Sequence, residues 1–268
     1  MDECDGPRRG PLAHSAWADV CCTIDVSVAH DLDPVLSLII PAHDEEALLG
    51  GTLETLAASA AALGEPYEII VVDDDSTDRT AEIARAHGVR VVGVRLRHIA
   101  AARNAGAREA QGEILVFVDA DTLVPSSVLN AAVAAVRHGA VGGGAMPVMD
   151  SAPRWAARMV TAVVWILRTA RWAAGCFVFA RRDAFERAGG FDERYFASEE
   201  IHLSRALKRQ GRFVILDDRV ITSARKAHQF SALQTIGLFL RTLWPGTLKR
   251  RDRLAFWYGD RRHRERAD

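Results

Sequence analysis

Apolar residues recur along this chain in two alternating patterns, and the alternation alone predicts a fold class. Val35-Leu36-Ser37-Leu38-Ile39-Ile40 is a β-rich run stopped by Pro41. From Asp44 to Leu63 the spacing of Leu48, Leu49, Leu53 and Leu56 is helical. Tyr67 to Val72 reads as a second strand ending in Asp73-Asp74-Asp75-Ser76, and a helix from Thr77 to His87 follows, closed by Gly88. Val89 to Val94 is a third strand, Ile99 to Gln111 a helix, and Glu113 to Val118 a very apolar strand that stops at Asp119. Strands alternating with helices predict a parallel sheet covered on both faces. Ligands of such sheets sit beyond the carboxyl ends of the strands. Pro41 to Glu45, Asp73 to Ser76 and Asp119 to Asp121 all fall at such ends and are expected to form one site.

The second half is less regular. A helix from Pro125 to His138 leads into the glycine stretch Gly139 to Gly144. Helices are expected over Pro153 to Ala174, Arg182 to Ala188 and Glu199 to Gln210, and strands over Cys176 to Ala180 and Phe213 to Leu216. A last apolar helix, Leu233 to Trp244, ends at Pro245. This pattern divides the chain into an N-terminal extension (1–34), one α/β domain (35–226, with halves 35–125 and 126–226), and a C-terminal helix with a basic tail (227–268).

A length of 268 residues suits one such domain with appended elements. Its 49% hydrophobic and 26% charged residues are those of an ordinary folded protein. A formal net charge of -1 argues against a nucleic-acid partner, because phosphate neutralisation needs a basic face. Basic residues do crowd the C-terminus, from Arg241 through Lys249, Arg250, Arg251 and Arg253 to Arg266, which suits an anionic surface such as lipid headgroups. Cys4, Cys21, Cys22 and Cys176 have neither zinc-site nor disulfide-framework spacing. The first residues lack the basic-then-apolar pattern of a secretory signal, and no apolar run reaches spanning length. A cytoplasmic location is expected, with peripheral contact at the inner face of the membrane through the C-terminal helix and tail. Trp155 to Ala174 and Leu233 to Trp244 also fit an interface, with Trp165, Trp172, Trp244 and Trp257 as anchors, although core packing is the commoner reason for such stripes.

The strongest chemical signal is Phe117-Val118-Asp119-Ala120-Asp121. Like charges at the end of a buried strand are costly unless a cation offsets them. Mg2+ or Mn2+, bound by these carboxylates and completed by substrate phosphate oxygens, is the economical answer. The acidic turn Asp73-Asp74-Asp75-Ser76-Thr77-Asp78 holds more aspartates than helix capping needs, and a strand-end Asp can accept from a nucleobase N–H or ribose hydroxyls.

With these residues in view, the chain resembles the inverting family 2 glycosyltransferases of GT-A fold. The resemblance rests on an ordered set: Ile40-Pro41-Ala42-His43-Asp44-Glu45-Glu46, Val71 through Thr80, Ala102-Arg103-Asn104-Ala105-Gly106, Asp119-Ala120-Asp121, Gly189-Gly190-Phe191-Asp192-Glu193 and Ser198-Glu199-Glu200-Ile201-His202-Leu203. It implies a Rossmann-like, mostly parallel central sheet flanked by helices, with a helical acceptor-side extension. It further implies a nucleoside-diphosphate sugar donor and an acceptor that is a small molecule, a glycan or a lipid-linked molecule. Pro41, Ala42 and Asp44 or Glu45 are then expected to line the nucleoside pocket, with Asp73 or Asp74 reading the base. Arg103 is expected to face the base or diphosphate, Asp119 to contact the ribose or metal, Ala120 to line the nucleotide-sugar site, and Asp121 to ligate the metal. Glu199-Glu200 occupies the place of the family's acidic pair, usually Glu-Asp, with Glu200 or Glu199 as base. Arg225 and Lys226 are expected to close over the diphosphate, and His228 to offer a third metal ligand. A sugar-nucleotide binder without turnover, a sugar nucleotidyltransferase and a phosphoacceptor signalling module are the alternatives.

Overall fold

The computed structural model describes residues 35–150 and 154–223. The expected first half is present: β1 (Leu36–Ala42), α1 (Leu49–Ala61), β2 (Tyr67–Asp74), α2 (Thr80–Ala86), β3 (Arg90–Val94), α3 (Ile99–Glu109) and β4 (Ile114–Val118). β1 pairs in parallel with both β2 and β4, and β2 pairs in parallel with β3. Both faces of these strands are apolar because both are covered. Leu38, Ile40, Val71 and Val116 pack toward α1 and α4 (Ser126–Arg137), while Ile39, Val72, Leu115 and Phe117 pack toward α3.

The second half departs from the expected pattern. After the two-residue β5 (Thr122–Leu123) and α4 come β6 (Ala140–Met149), α5 (Arg154–Ala170), β7 (Phe177–Arg181), α6 (Arg182–Ala188), α7 (Glu199–Lys208) and β8 (Arg212–Thr222). One eight-stranded sheet results, in the order β3-β2-β1-β4-β7-β6-β8-β5. β7 runs antiparallel to β4 and to β6, so the sheet is parallel only through its first half and mixed beyond it. The glycine stretch that follows α4 forms the start of β6. Glycine is required there by close approach: a Cβ on Gly143 would lie 2.2 Å from the Val214 carbonyl oxygen and 2.5 Å from the Phe179 ring. Packing between β7 and β8 makes this glycine-rich stretch a strand.

Two helices begin later than the periodicity predicts. α1 starts at Leu49 rather than Asp44, and α2 at Thr80 rather than Thr77. The intervening turns are knitted to each other instead. The Asp44 and Glu45 amides donate to Ser76 Oγ (3.1 Å) and Thr80 Oγ1 (2.8 Å), and the Thr77 amide donates to Asp44 Oδ1 (2.8 Å). Polar side chains that could have capped a helix bond across the two strand ends. α5 stops at Ala170, short of the expected Ala174, where Arg171 turns left-handed at φ 53°. No described helix is long and apolar enough to cross a membrane. The N-terminal extension, the C-terminal helix and the basic tail lie outside the described residues.

Candidate active site

The register of β1 and β2 puts Ala42 beside Asp73, and β4 ends on the other side of β1, so the three polar clusters share one edge of the sheet. Pro41 is half-buried, and Ala42 is buried in the core between the sheet and α1. Within the acidic turn the aspartates divide their work. Asp74 is buried, and its two oxygens accept from the backbone amides of Leu96 (2.6 Å), Arg97 (2.8 Å) and His98 (2.9 Å). It shapes the entry to α3 through these three bonds. Asp73 is different, because its Oδ1 is buried with no hydrogen-bond partner. An orphaned buried acceptor is costly, and a donor on a bound ligand is what would satisfy it. Asp44 and Glu45 shape the adjoining turn through the bonds described above. The His43 ring Nδ1 lies 2.9 Å from the Asp74 carbonyl oxygen.

Asp119-Ala120-Asp121 is a tight connection from β4 to β5, held from three directions. The Asp119 amide donates to the Cys176 carbonyl (3.2 Å) ahead of β7. Thr52 Oγ1, from α1, donates to the Ala120 carbonyl (2.8 Å). The Ser223 amide, just past β8, donates to the Asp121 carbonyl (3.1 Å). The two carboxylates are thereby set on a rigid support. Burial, followed by the charges of Asp119 and Asp121, pushes the Cys176 thiol far above its ordinary range, so it stays a neutral part of the wall.

Arg103 is the hub of the site. It is 1% exposed, on α3, and its two terminal nitrogens are engaged: Nη1 donates to Glu199 (2.6 Å), and Nη2 donates to Asp119 (2.7 Å) and to the Gly175 carbonyl (2.8 Å), while Nε is buried with no hydrogen-bond partner. Burial opposes its charge, but the carboxylates of Asp119, Glu199 and Glu200 outweigh that and hold it protonated. Where the base or diphosphate was expected, the terminal nitrogens of this fork meet the protein carboxylates of Glu199 and Asp119.

Glu199 and Glu200 open α7 and face different surroundings. Glu199 is 3% exposed; burial raises its pKa, and the guanidinium opposes that rise. Glu200 is half-buried, with its carboxyl beside Gly175, where a built Cβ would lie 3.6 Å from Glu200 Cδ. Burial first, and the neighbouring Glu199 charge second, push Glu200 up to about 8. A carboxyl so placed is suited to exchanging a proton near neutral pH.

A divalent cation fits this neighbourhood in its charge. Asp119, Glu199 and Glu200 surround one guanidinium, and Asp119 and Asp121 both act on Cys176. Among the described residues no group of three or more His, Cys, Asp or Glu side chains is assembled for a metal. The fit is therefore to an ion that takes one or two protein carboxylates and fills its remaining positions with water and phosphate oxygens. Arg225, Lys226 and His228 lie outside the described residues.

Sequence reasoning missed Thr52, Gly175 and the position of Cys176. A lone threonine within a helical stripe carries no signal of the loop it will meet. The Ala-Ala-Gly run before Cys176 was visible, but read as the end of a helix.

The profile of the family described as "Glycosyl transferase family 2" matches residues 37–189, more than half of the chain. Among curated proteins, validoxylamine A glucosyltransferase of Streptomyces hygroscopicus subsp. jinggangensis is 37% identical over 111 residues, 38% of this chain and 25% of that protein. Undecaprenyl-phosphate 4-deoxy-4-formamido-L-arabinose transferase of Pseudomonas aeruginosa is 35% identical over 142 residues, 48% of this chain and 41% of that protein. The matched region thus spans a quarter to two-fifths of these relatives. Among solved structures, the mannosyltransferase PcManGT from Pyrobaculum calidifontis, in complex with GDP-Man and Mn2+, superposes with a TM-score of 0.58 at 23% identity, covering 79% of this chain and 65% of that one. S. aureus TarS 1-349 in complex with UDP-GlcNAc superposes with a TM-score of 0.55 at 19% identity, covering 70% and 58%. The shared architecture is the GT-A fold, and this chain belongs to glycosyl transferase family 2.

Proposed function

We propose that the protein transfers a sugar from a nucleoside-diphosphate sugar to an acceptor hydroxyl, with a divalent metal and with Glu200 as the general base. The observation that carries this reading is the division between the two glutamates: Glu199 is committed to Arg103, while Glu200 lies beside the aspartate turn with its pKa raised to about 8. Glu200 takes the proton of the acceptor hydroxyl as that oxygen attacks the anomeric carbon. The bond from that carbon to the phosphate oxygen breaks, and the nucleoside diphosphate leaves. A single displacement of this kind inverts the anomeric centre.

Pro41, Ala42 and the orphaned Asp73 Oδ1 supply the nucleoside side of the pocket, with Asp44 and Glu45 shaping its turn. Asp121, with Asp119, holds the Mg2+ or Mn2+, which when bound offsets the charge developing on the diphosphate. Because Ser223 is bonded to the Asp121 carbonyl, the covalent chain passes the site just before Arg225, Lys226 and His228, which supports their candidacy toward the diphosphate and the metal. The nucleotide-sugar complexes of the two structural neighbours and the bound Mn2+ of one support the donor class and the metal. A lipid-linked acceptor at the inner membrane face is supported by the name of the P. aeruginosa relative and by Trp165, 67% exposed on α5 beside the half-exposed Ile166. Small-molecule and glycan acceptors remain in the same class.

The test is donor hydrolysis and transfer across UDP- and GDP-sugars with Mn2+ or Mg2+. At least one donor should turn over, chelation should abolish turnover, and Asp121→Ala should lose metal-dependent nucleotide binding. Turnover of none, with Asp121→Ala binding the nucleotides as the wild type does, would overturn the enzyme reading in favour of a binder.

A further inference from the structure

The run Ala102-Arg103-Asn104-Ala105-Gly106 lies on α3, and the structure gives nearly every position in it a physical task. A Cβ on Gly106 would lie 2.4 Å from Ile39 Cγ2 and 2.8 Å from Val72 Cγ2, so this helix rests directly on β1 and β2. From that fixed base it reaches into the other half of the molecule. Asn104 Oδ1 accepts from the Phe191 amide (2.9 Å), and its Nδ2 donates to the Phe191 carbonyl (2.9 Å) and to Glu193 Oε1 (2.9 Å). At the start of the helix the His98 ring packs on Phe196, 4.3 Å between centroids. Arg103 bonds Glu199 and Asp119 at once. The stretch from Phe191 to the start of α7 is therefore tied to α3 at Phe191, Phe196 and Glu199, and the Arg103 tie also holds Asp119 at the end of β4.

We propose that Arg103 is a positioning residue that keeps the Glu200 helix and the Asp119 turn in register. A planar guanidinium presents donors at fixed angles, so one side chain can fix the spacing of two carboxylates from different elements. A lysine is a point charge and cannot span both in the same way. Glu200 follows Glu199 directly, so the spacing set by Arg103 is passed to it along the first turn of α7. Ser204 strengthens that turn, donating to the Glu200 carbonyl (2.7 Å) while accepting from the Ala173 amide (3.0 Å). The contacts stand by themselves; the catalytic consequence rests on the transferase reading.

The experiment compares wild type, Arg103→Lys and Glu199→Gln in the full chain by hydrogen exchange and by steady-state kinetics. The probe for the kinetics is whichever of UDP-GlcNAc and GDP-mannose the wild type hydrolyses with Mn2+. In Arg103→Lys, amides 196–201 should exchange about tenfold faster or more while β1 and β2 stay protected, as for a local opening of a folded protein. kcat should fall by roughly a hundredfold, with KM changed by less than about threefold, as a misplaced rather than a missing group predicts. Unchanged exchange at those amides, or a raised KM with kcat retained, would overturn the proposal, the latter by making Arg103 a donor ligand. If Arg103→Lys does not fold, Glu199→Gln decides. It keeps the shape and one hydrogen bond, and should show the same exchange pattern with kcat lowered roughly tenfold; wild-type behaviour in both readouts overturns the proposal. If the wild type turns over no donor, it is the transferase reading that fails, and the exchange result still decides the tie.

Discussion

The two halves of the sheet build their share of the site in different ways. In the first, β1, β2 and β4 run parallel and deliver Pro41-Ala42, Asp73 and Asp119 to one edge simply by ending there. In the second, β7 and β6 turn antiparallel, and the candidate base comes from the start of α7, placed by a side chain of the opposite half. One half places its chemistry by topology and the other by a tertiary tie. The first arrangement tolerates local change, because a strand end stays where its ladder holds it. The second depends on a few buried charged contacts, whose loss leaves an unpaired buried charge.

The largest effect that would sharpen this contrast is at Glu200. Glu200→Gln should lower kcat by about 10²–10⁴-fold while nucleotide affinity stays near wild type, measured by single-turnover transfer and by calorimetry. Retained turnover would move the base elsewhere and break the division between the halves. The same residue sets a pH signature. Its folded pKa, about 8, lies above the ordinary carboxylate value, so the native state binds the extra proton between the two. Its stabilisation is full below the ordinary value and is lost as pH rises through about 8. Wild-type stability should therefore fall over that window relative to Glu200→Gln, by at most about 1.4 kcal/mol per pH unit. Activity should rise over the same window as the base deprotonates.

Gly106→Ala tests the topological half, since its methyl group meets Ile39 and Val72 at sub-contact distances. A loss of about 1–3 kcal/mol in denaturant unfolding is expected. A neutral result would show that α3 is free to ride up from the sheet, and the rigid base invoked for Arg103 would go with it. The smallest effect is at Thr52, whose hydroxyl holds the Ala120 carbonyl. Thr52→Val should cost about 1 kcal/mol and raise the metal concentration needed for nucleotide binding modestly. Measured together with Arg103→Lys, these three substitutions show whether damage in the first half stays local while damage at the tie spreads to both halves.

Much of this was legible beforehand. The strand-end clusters could be read because a parallel α/β sheet collects its strand ends on one edge whatever the side chains are, and Asp119 and Asp121 stood out because their charge has no packing purpose there. The assignment of individual acids could not be read. Asp73 and Asp74 are chemically identical and adjacent, yet one satisfies three amides and the other buries an unpartnered oxygen, a difference made by the loop that returns from β3. Arg103 pointed to phosphate because its fork suits one, but a carboxylate distant in the chain suits it as well. The glycines of β6 were not legible as a strand, because composition cannot show that two neighbouring strands leave no room for a Cβ.

The sequence by itself determined the family, the alternation of strands and helices through the first half, and the chemical character of the residues at the strand ends. Those follow from local patterns of spacing and charge, which survive any folding of the rest. Only the tertiary structure decided which acid does what: Asp74 shapes a loop, Glu199 is paired to Arg103, and Glu200 is left beside the aspartate turn with its pKa raised. The reason is that an acid's role is set by the burial and the partners it meets, and those partners come from elements far away in the chain.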